Sequence, residues 1–362
     1  MRKDWEYKKL GEVCDILDSQ RKPVTKKDRK KGIYPYYGAT GIQDFVDNYI
    51  FDGRYVLVGE DGAKWSANEK CAYIIEGKTW INNHAHVLST KNMVIDSFLT
   101  YYLNFSDLDS YISGAIIRKL TQSSLKSIPI PLPPKPTQLA IVAELDKINE
   151  LIQLKKQQLE DYDQLAQSIF YEMFGDPVEN EKGWEVKKIS EVSIYYNGKA
   201  HENDIDESGK YILINSKFIS SEGSVLKRTA TQHFPLYKND VVMVLSDLPN
   251  GKALGKCCLI TKDDIYSLNQ RICCFRGFKG DSHFFKYMIN RHPYFLSFDD
   301  GKGQTNLRKK DVENCPIPLP PLPLQQQFAA RIEAIERQKQ QVSETIKDLE
   351  TLLASRMQYW FD

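Results

Sequence analysis

From Thr137 onward the apolar residues fall at Ile141, Leu145, Ile148, Ile152, Leu159, Tyr162, Ala166, Ile169 and Met173, with Lys155 at the one missing step. An alternating four-three spacing held this long predicts a helix with one narrow apolar stripe, the seam of a coiled coil. Gly175-Asp176-Pro177 stops the run as helix ends are stopped. The pattern returns at Phe328, Ile332, Ile335, Val342, Ile346, Leu349, Leu353 and Trp360, with Lys339 and Arg356 as polar interruptions. Two such stripes bury each other. A pseudo-twofold relation between the flanking regions makes the helices antiparallel, and about 38 residues at about 1.5 Å each give roughly 55 Å of helix.

Ahead of each helix the pattern changes to short alternating or apolar runs. These are "YVLVGE", "CAYIIE" and "HAHVL" in the first half, and "YILIN", "DVVMVL", "CCLI" and "RICCF" in the second. Separated by Gly, Asn and Asp turns, they read as strands. A short helical pattern, "DSFLTYYLNF" and then "DSHFFKYMIN", follows in each half. The fold class expected is α+β, two β-rich domains in tandem.

The halves are copies. "PIPLPP" stands at 129–134 and again at 316–321, a shift of 187 positions, and at this shift Asn82 falls on Asn269 and Gln138 on Gln325. "WEYKKLGEV" (5–13) recurs as "WEVKKISEV" (184–192) at a shift of 179, so the second copy carries about eight extra residues between its first strand and its middle. Loops are where such differences are expected. The proline hexamers read as stiff straps, since proline lacks an amide proton and disfavours helix in the residue before it. The expected boundaries are 1–136, a helix over 137–176, 177–323, and a helix over 324–362.

Composition removes several classes. No apolar run approaches the roughly 18–20 residues of a membrane span, and "MRKDWEYKKL" has no apolar core of a signal peptide, so the cytoplasm is expected. Seven cysteines with no C-x-x-C pair make neither a disulfide framework nor a zinc site. Net charge is +1, which excludes a uniformly basic nucleic-acid coat, and the local cluster "KKDRKKG" (26–32) reads as a solvated loop.

The chain resembles the DNA specificity subunit of Type I restriction–modification enzymes. The resemblance rests on "IPIPLPP" and "CPIPLPP" before Gln138 and Gln325, on W-x-x-K-K at each domain start, and on "NNHAHVL" with "NQRICCF". "LTQSSLKSIPI" with "LRKKDVENCPI" completes the set, which spans Trp5 to Phe361. It implies two target recognition domains, each reading one half of an asymmetric, interrupted double-stranded DNA sequence. It implies further that the coiled coil sets the gap and docks two methyltransferase subunits, with two restriction–translocase subunits completing the complex. No catalytic residue and no cofactor would belong to this chain; S-adenosylmethionine, ATP and magnesium would belong to the partners.

Candidate DNA contacts are polar and basic residues in the inter-strand loops, because Asn and Gln pair with adenine and Arg or Lys with guanine. In the first copy they are Lys64, Asn82, Asn83, His84, Arg118, Lys119, Thr121 and Gln122. In the second they are Lys252, Asn269, Gln270, Arg271, Gln304, Thr305, Asn306, Arg308 and Lys309. Asn82 and Asn269, present in both copies, also fit a structural role. Two rivals stand beside this reading: a metal-dependent nuclease with one active copy (Asp61, Glu76, Lys78), and a coiled-coil scaffold that binds no DNA. Copy two places Leu248, Asp263 and Ile265 where the nuclease set would recur. His84 and His86 share a strand face on which zinc would bind, but no third ligand is near in sequence, and no metal is expected.

Overall fold

The computed structural model describes residues 5–114, 116–201 and 203–362. The chain forms two compact units, Met1–Gln157 with Ser343–Asp362, and Gln158–Val342. Two helices of 40 residues each, Lys135–Phe174 and Leu322–Phe361, join them, so each unit contains part of both.

Both units open with the same device. Glu6–Lys9 pairs antiparallel with Pro129–Leu132, Lys8 opposite Ile130 and Glu6 opposite Leu132, and the Leu10 N–H continues the ladder to the Ile128 carbonyl at 2.8 Å. Glu185–Lys188 and Pro316–Leu319 repeat it, with Lys187 opposite Ile317. In Pro-Ile-Pro-Leu only Ile and Leu own an amide proton. Such a strand donates along one edge alone, which suits a two-stranded ribbon and no larger sheet. The proline strap is therefore paired with the opening W-E-x-K-K segment of its own domain.

In unit one a six-stranded sheet runs in the order Cys14–Ile16, Ala85–Thr90, Phe51–Gly59, Ala72–Ile81, Lys31–Gly38, Gly41–Val46. Alternation along the central strand sends Val56 and Val58 to one face and Leu57 to the other. Val56 and Val58 pack with Phe98, Leu99 and Leu103 of the helix Asp96–Phe105 and with Ile141 and Leu145 of the first long helix. Leu57 packs with Ile75, Ile81 and Val87. Unit two has a four-stranded sheet, Ile194–Asn197, Ile272–Arg276, Val241–Val244, Cys257–Leu259, and a three-stranded one, Arg228–Thr229, Tyr211–Ile214, Tyr266–Leu268. The helix Ser282–Ile289, capped by the Asp281 carboxylate, buries Phe284, Phe285, Met288 and Ile289 on the former.

Within each unit the long helices pair antiparallel. In unit one Glu144 meets Arg356 and accepts from the Trp360 indole at 2.9 Å, and Lys156 meets Glu350 at 3.1 Å. In unit two Lys339, one of the polar interruptions of the stripe, meets Asp163 at 2.5 Å. Burial works against its ammonium, but Asp163, Glu222 and Glu336 outweigh it and raise the pKa.

The stripe departs from its expected phase at the helix ends. Phe170 and Phe174 are fully buried where the heptad pattern places Ile169 and Met173, which are only partly covered. Phe174 stands 4.8 Å from Phe284 and 5.3 Å from Phe328. Likewise Phe361, rather than Trp360, is the buried residue of the second helix, 5.6 Å from Phe98. The final turns face the domain helix as well as the partner helix, which widens the apolar arc beyond a two-helix seam.

Gln138 and Gln325 tie strap to helix. Gln138, 1% exposed, accepts from the Ile95 N–H at 3.0 Å and donates to the Pro133 and Met93 carbonyls at 2.9 and 3.0 Å. Gln325 accepts from the Asp281 N–H at 3.0 Å and donates to the Pro320 carbonyl at 2.8 Å. The length difference between the copies lies in structured chain and not in bare loops. The hairpin Lys31–Gly38/Gly41–Val46 occupies the region in unit one, and the helix Ser216–Ser220 with the three-stranded sheet occupies it in unit two.

Candidate nucleic-acid interface

In each unit three separate segments meet where the central strand ends. In unit one the Glu60 N–H donates to the His84 carbonyl and the Leu120 N–H donates to the Glu60 carbonyl, both at 2.8 Å. In unit two Leu245 N–H donates to Arg271 carbonyl at 3.0 Å, and Leu307 N–H to Leu245 carbonyl at 2.8 Å. The main-chain junction is the same; the side chains around it differ.

Around the first junction stand Asn83, His84, Arg118, Lys119 and Gln122, with Lys64 on the adjoining loop. His84 Nδ1 lies 2.6 Å from Asp61, and Asp61 bridges Lys119 through the main chain. Arg118 pairs with Asp109 at 2.6 Å and lies 6.0 Å from the Trp65 ring, while Lys64 reaches Glu69 at 3.2 Å. Asn83, His84, Lys64, Arg118 and Gln122 are exposed. Two candidates are spent on the fold. Asn82 is 2% exposed; its amide donates to Gln43 at 3.2 Å and accepts from the His84 N–H at 2.8 Å, which forms the turn. Thr121 caps the helix Gln122–Ser127 by accepting from the Ser124 N–H.

Beneath the exposed residues is a charged cluster that sequence reading missed. Asp18 lies 2.6 Å from His86 Nδ1, and His86 Nε2 donates to the Leu120 carbonyl at 2.7 Å. Arg21 reaches Glu60 at 2.6 Å and the Ala85 carbonyl at 2.7 Å, and Lys119 reaches Glu60 at 2.7 Å. Burial alone would raise the Asp18 pKa, but His86, the Val87 N–H and Arg21 hold it below the ordinary value. For Glu60 burial is likewise outweighed by Lys119, Arg21 and His86, and its pKa is lowered. Asp18, Glu60 and His86 bring ligand-capable atoms within 4.8 Å of one another. Both imidazole nitrogens are already engaged and Arg21 and Lys119 sit on the carboxylates, so the cluster pairs its charges internally and braces the loops. His84 and His86 do not converge: one is exposed against Asp61, the other buried against Asp18. No signal in the sequence joins these residues, because they come from four segments brought together only by the sheet.

In unit two Gln304 donates to the Ser246 hydroxyl at 2.6 Å, and Thr305, 8% exposed, donates to Asp299 at 3.2 Å. Asn306 pairs with Ser246 across the two-residue ladder Ser246–Asp247/Thr305–Asn306. Lys252 rides on a turn held by Asp247, whose carboxylate accepts from Leu248, Ala253 and Leu254 N–H groups. A Cβ on Gly251 would meet that carboxylate at 2.1 Å, so a larger residue there would displace the group that holds the turn. Asn269 forms the turn ahead of Ile272–Arg276 by accepting from the Gln270 N–H at 2.8 Å, the counterpart of Asn82. Gln270, Arg271, Asn306, Arg308 and Lys309 are exposed, Lys309 over the Tyr195 ring at 5.6 Å. Thr305 and Asn269 thus serve the fold.

The nuclease set is dispersed. Glu76 pairs with Arg54 at 3.1 Å and Lys78 lies over Tyr49. Asp61 sits seven positions beyond Arg54 along the extended chain, about 20 Å away at strand rise, too far to share a metal. Among the described residues no helix is long and apolar enough to cross a membrane.

Comparison with known proteins agrees with the repeat. Residues 2–161 and 181–351 match the family described as Type I restriction modification DNA specificity domain. A putative type I restriction enzyme specificity subunit of Haemophilus influenzae is 40% identical over 146 residues, 40% of this chain and 38% of that protein. A Type I specificity subunit of Methanocaldococcus jannaschii is 23% identical over 97% of this chain and 92% of its own length. The crystal structure of a Type I restriction–modification S subunit from M. genitalium shares the fold, with a TM-score of 0.57 over 99% of this chain and 96% of that one at 14% identity. With both copies matched, the chain belongs to the Type I restriction–modification DNA specificity family.

Proposed function

We propose that this chain is the sequence-reading subunit of a Type I restriction–modification complex, with each unit reading one half of an asymmetric, interrupted duplex target. The carrying observation is that a single main-chain junction of three loops recurs in both units while the side chains around it differ. His84, Arg118 and Gln122 surround one; Arg271, Gln304 and Asn306 surround the other. A common frame with unlike side chains suits two unlike half-sites, since base edges carry the sequence and phosphates set the register. The exposed candidates reduce to Lys64, Asn83, His84, Arg118 and Gln122, with Lys119 half-buried beside them, and to Lys252, Gln270, Arg271, Gln304, Asn306, Arg308 and Lys309. The helix pair fixes the gap and carries two methyltransferase subunits, with two restriction subunits completing the assembly. Methyl transfer and cleavage are then the partners' chemistry.

The test replaces Arg118 and Gln122 together by Ala in chain co-expressed with its methyltransferase. Altered methylation at one half-site, with the other half and the gap unchanged, is expected. Unchanged bases at both half-sites would reject these residues as readers.

A further inference from the structure

The segment Arg21–Lys31 carries seven basic residues and one acidic one; the corresponding segment of the second copy, 200–210, carries four acidic and one basic. Unit one does not leave this segment loose. The Trp80 indole donates to the Lys22 carbonyl at 2.6 Å, and the Val24 N–H donates to the Tyr36 hydroxyl at 3.0 Å. Arg29 reaches the Val24 carbonyl at 3.1 Å and Asp44 at 3.2 Å, and stacks 4.2 Å over the Tyr36 ring. The Asp47 N–H closes on the Lys30 carbonyl at 3.1 Å. Both arginines therefore face inward: Arg21 holds Glu60 at the loop junction, and Arg29 holds the hairpin. Lys22, Lys26, Lys27, Lys30 and Lys31 are all exposed, and none forms an ion pair among the described residues.

A solvated loop has no need of an indole, a phenol and a stacked guanidinium to fix its backbone. Here the anchors are inward and aromatic, while five lysines face outward against a single exposed acid, Asp28, which accepts from the Thr25 hydroxyl. The basic segment also starts at the loop junction, through Arg21, and leads to the far end of the strand Lys31–Gly38, about 20 Å away at strand rise. We propose that Lys22–Lys31 is a second DNA surface of unit one, which grips phosphates of the duplex flanking its half-site and reads no bases. This rests on the DNA-reading role proposed above. It makes the footprint lopsided, because the acidic segment of unit two cannot do the same.

The experiment uses the full chain complexed with its methyltransferase and a duplex bearing the methylated motif with long flanks. Binding is followed by anisotropy from about 50 to 300 mM salt. Each phosphate contact contributes about 0.9 to the slope of log affinity against log salt. Replacing the five lysines by Gln is expected to lower that slope by about 2.7 if three of them meet phosphates, and affinity near 150 mM salt by about a hundredfold. The methylated motif stays the same, and Lys→Arg at all five positions restores the slope. Trimming the flank beside the unit-one half-site reproduces the loss; trimming the other flank does not. Wild-type slope in the Gln variant would overturn the proposal while leaving the reading role intact. Loss of methyltransferase from the Gln variant would also overturn it, by making Lys22–Lys31 a protein-docking surface. A wild-type complex that ignores its motif duplex would reject the reading role and this proposal together.

Discussion

Gln138→Met is the sharpest test of how the straps hold the helices. The substitution keeps length and volume but removes three hydrogen bonds at a residue that is 1% exposed. The Pro133 carbonyl is buried, and the Ile95 N–H and Met93 carbonyl are partly so. A buried polar group left without a partner costs about 1–3 kcal/mol. Allowing the two outer groups some water, the loss comes to about 3–5 kcal/mol. Gln325→Met removes two bonds, to the Asp281 N–H and the Pro320 carbonyl, for about 2–3 kcal/mol. With a urea m-value of about 2–3 kcal/mol/M, the unit-one midpoint falls by about 1–2.5 M. The two units need separate probes, since a two-unit chain is not a two-state system. Trp5, Trp65, Trp80 and Trp360 lie in unit one and only Trp184 in unit two, so tryptophan fluorescence reports Gln138→Met. Hydrogen exchange over Ser282–Ile289 reports Gln325→Met. A midpoint shift below about 0.3 M for Gln138→Met would show the Gln138 fork to be dispensable.

Other expectations follow from the same contacts. Asp18 and Glu60 have folded pKa values below their ordinary ones, so the stability they add is present above about pH 4–5 and is lost as pH falls through the lowered values. Melting temperature should therefore drop steeply from pH 5 to pH 3 and less steeply in Asp18→Asn; equal slopes would reject the coupling. Burial pushes the Cys14, Cys71 and Cys315 thiols up to about 12 and raises the other four, so fewer than one thiol per native chain should react quickly with a disulfide reagent at pH 8, against seven after denaturation. Several fast thiols would contradict the buried placement. Removing one heptad from each long helix shortens the pair by about 10 Å, roughly 3 base pairs. The methylated motif should then keep both half-sites with a shorter gap, and altered half-site bases would sink the ruler.

Much of the architecture was legible because it is written twice. The four-three spacing marks both long helices, and the shift of the proline hexamers aligns the copies before any coordinate is known. Alternation could not mark the hairpin Lys31–Gly38/Gly41–Val46, whose burial is irregular and whose register slips twice. Heptad phase misplaced the helix ends for a similar reason: Phe174 and Phe361 each answer to a domain helix more than 100 residues away in sequence, which no local period encodes. At the interface, residue type found the exposed Arg118, Gln122, Arg271 and Asn306 but also took in Asn82 and Thr121, since the chemistry that suits a base edge also suits a turn or a cap. Asp18, Arg21 and Glu60 escaped notice because charge in sequence reads as solvent-facing until a sheet closes over it.

In the function proposed above, two unlike units read two unlike half-sites. Mapping methylated adenines genome-wide in cells that co-express this chain with its methyltransferase tests it most directly. One asymmetric, two-part motif with a fixed gap is the predicted result. A stable complex that methylates no such motif would contradict the account.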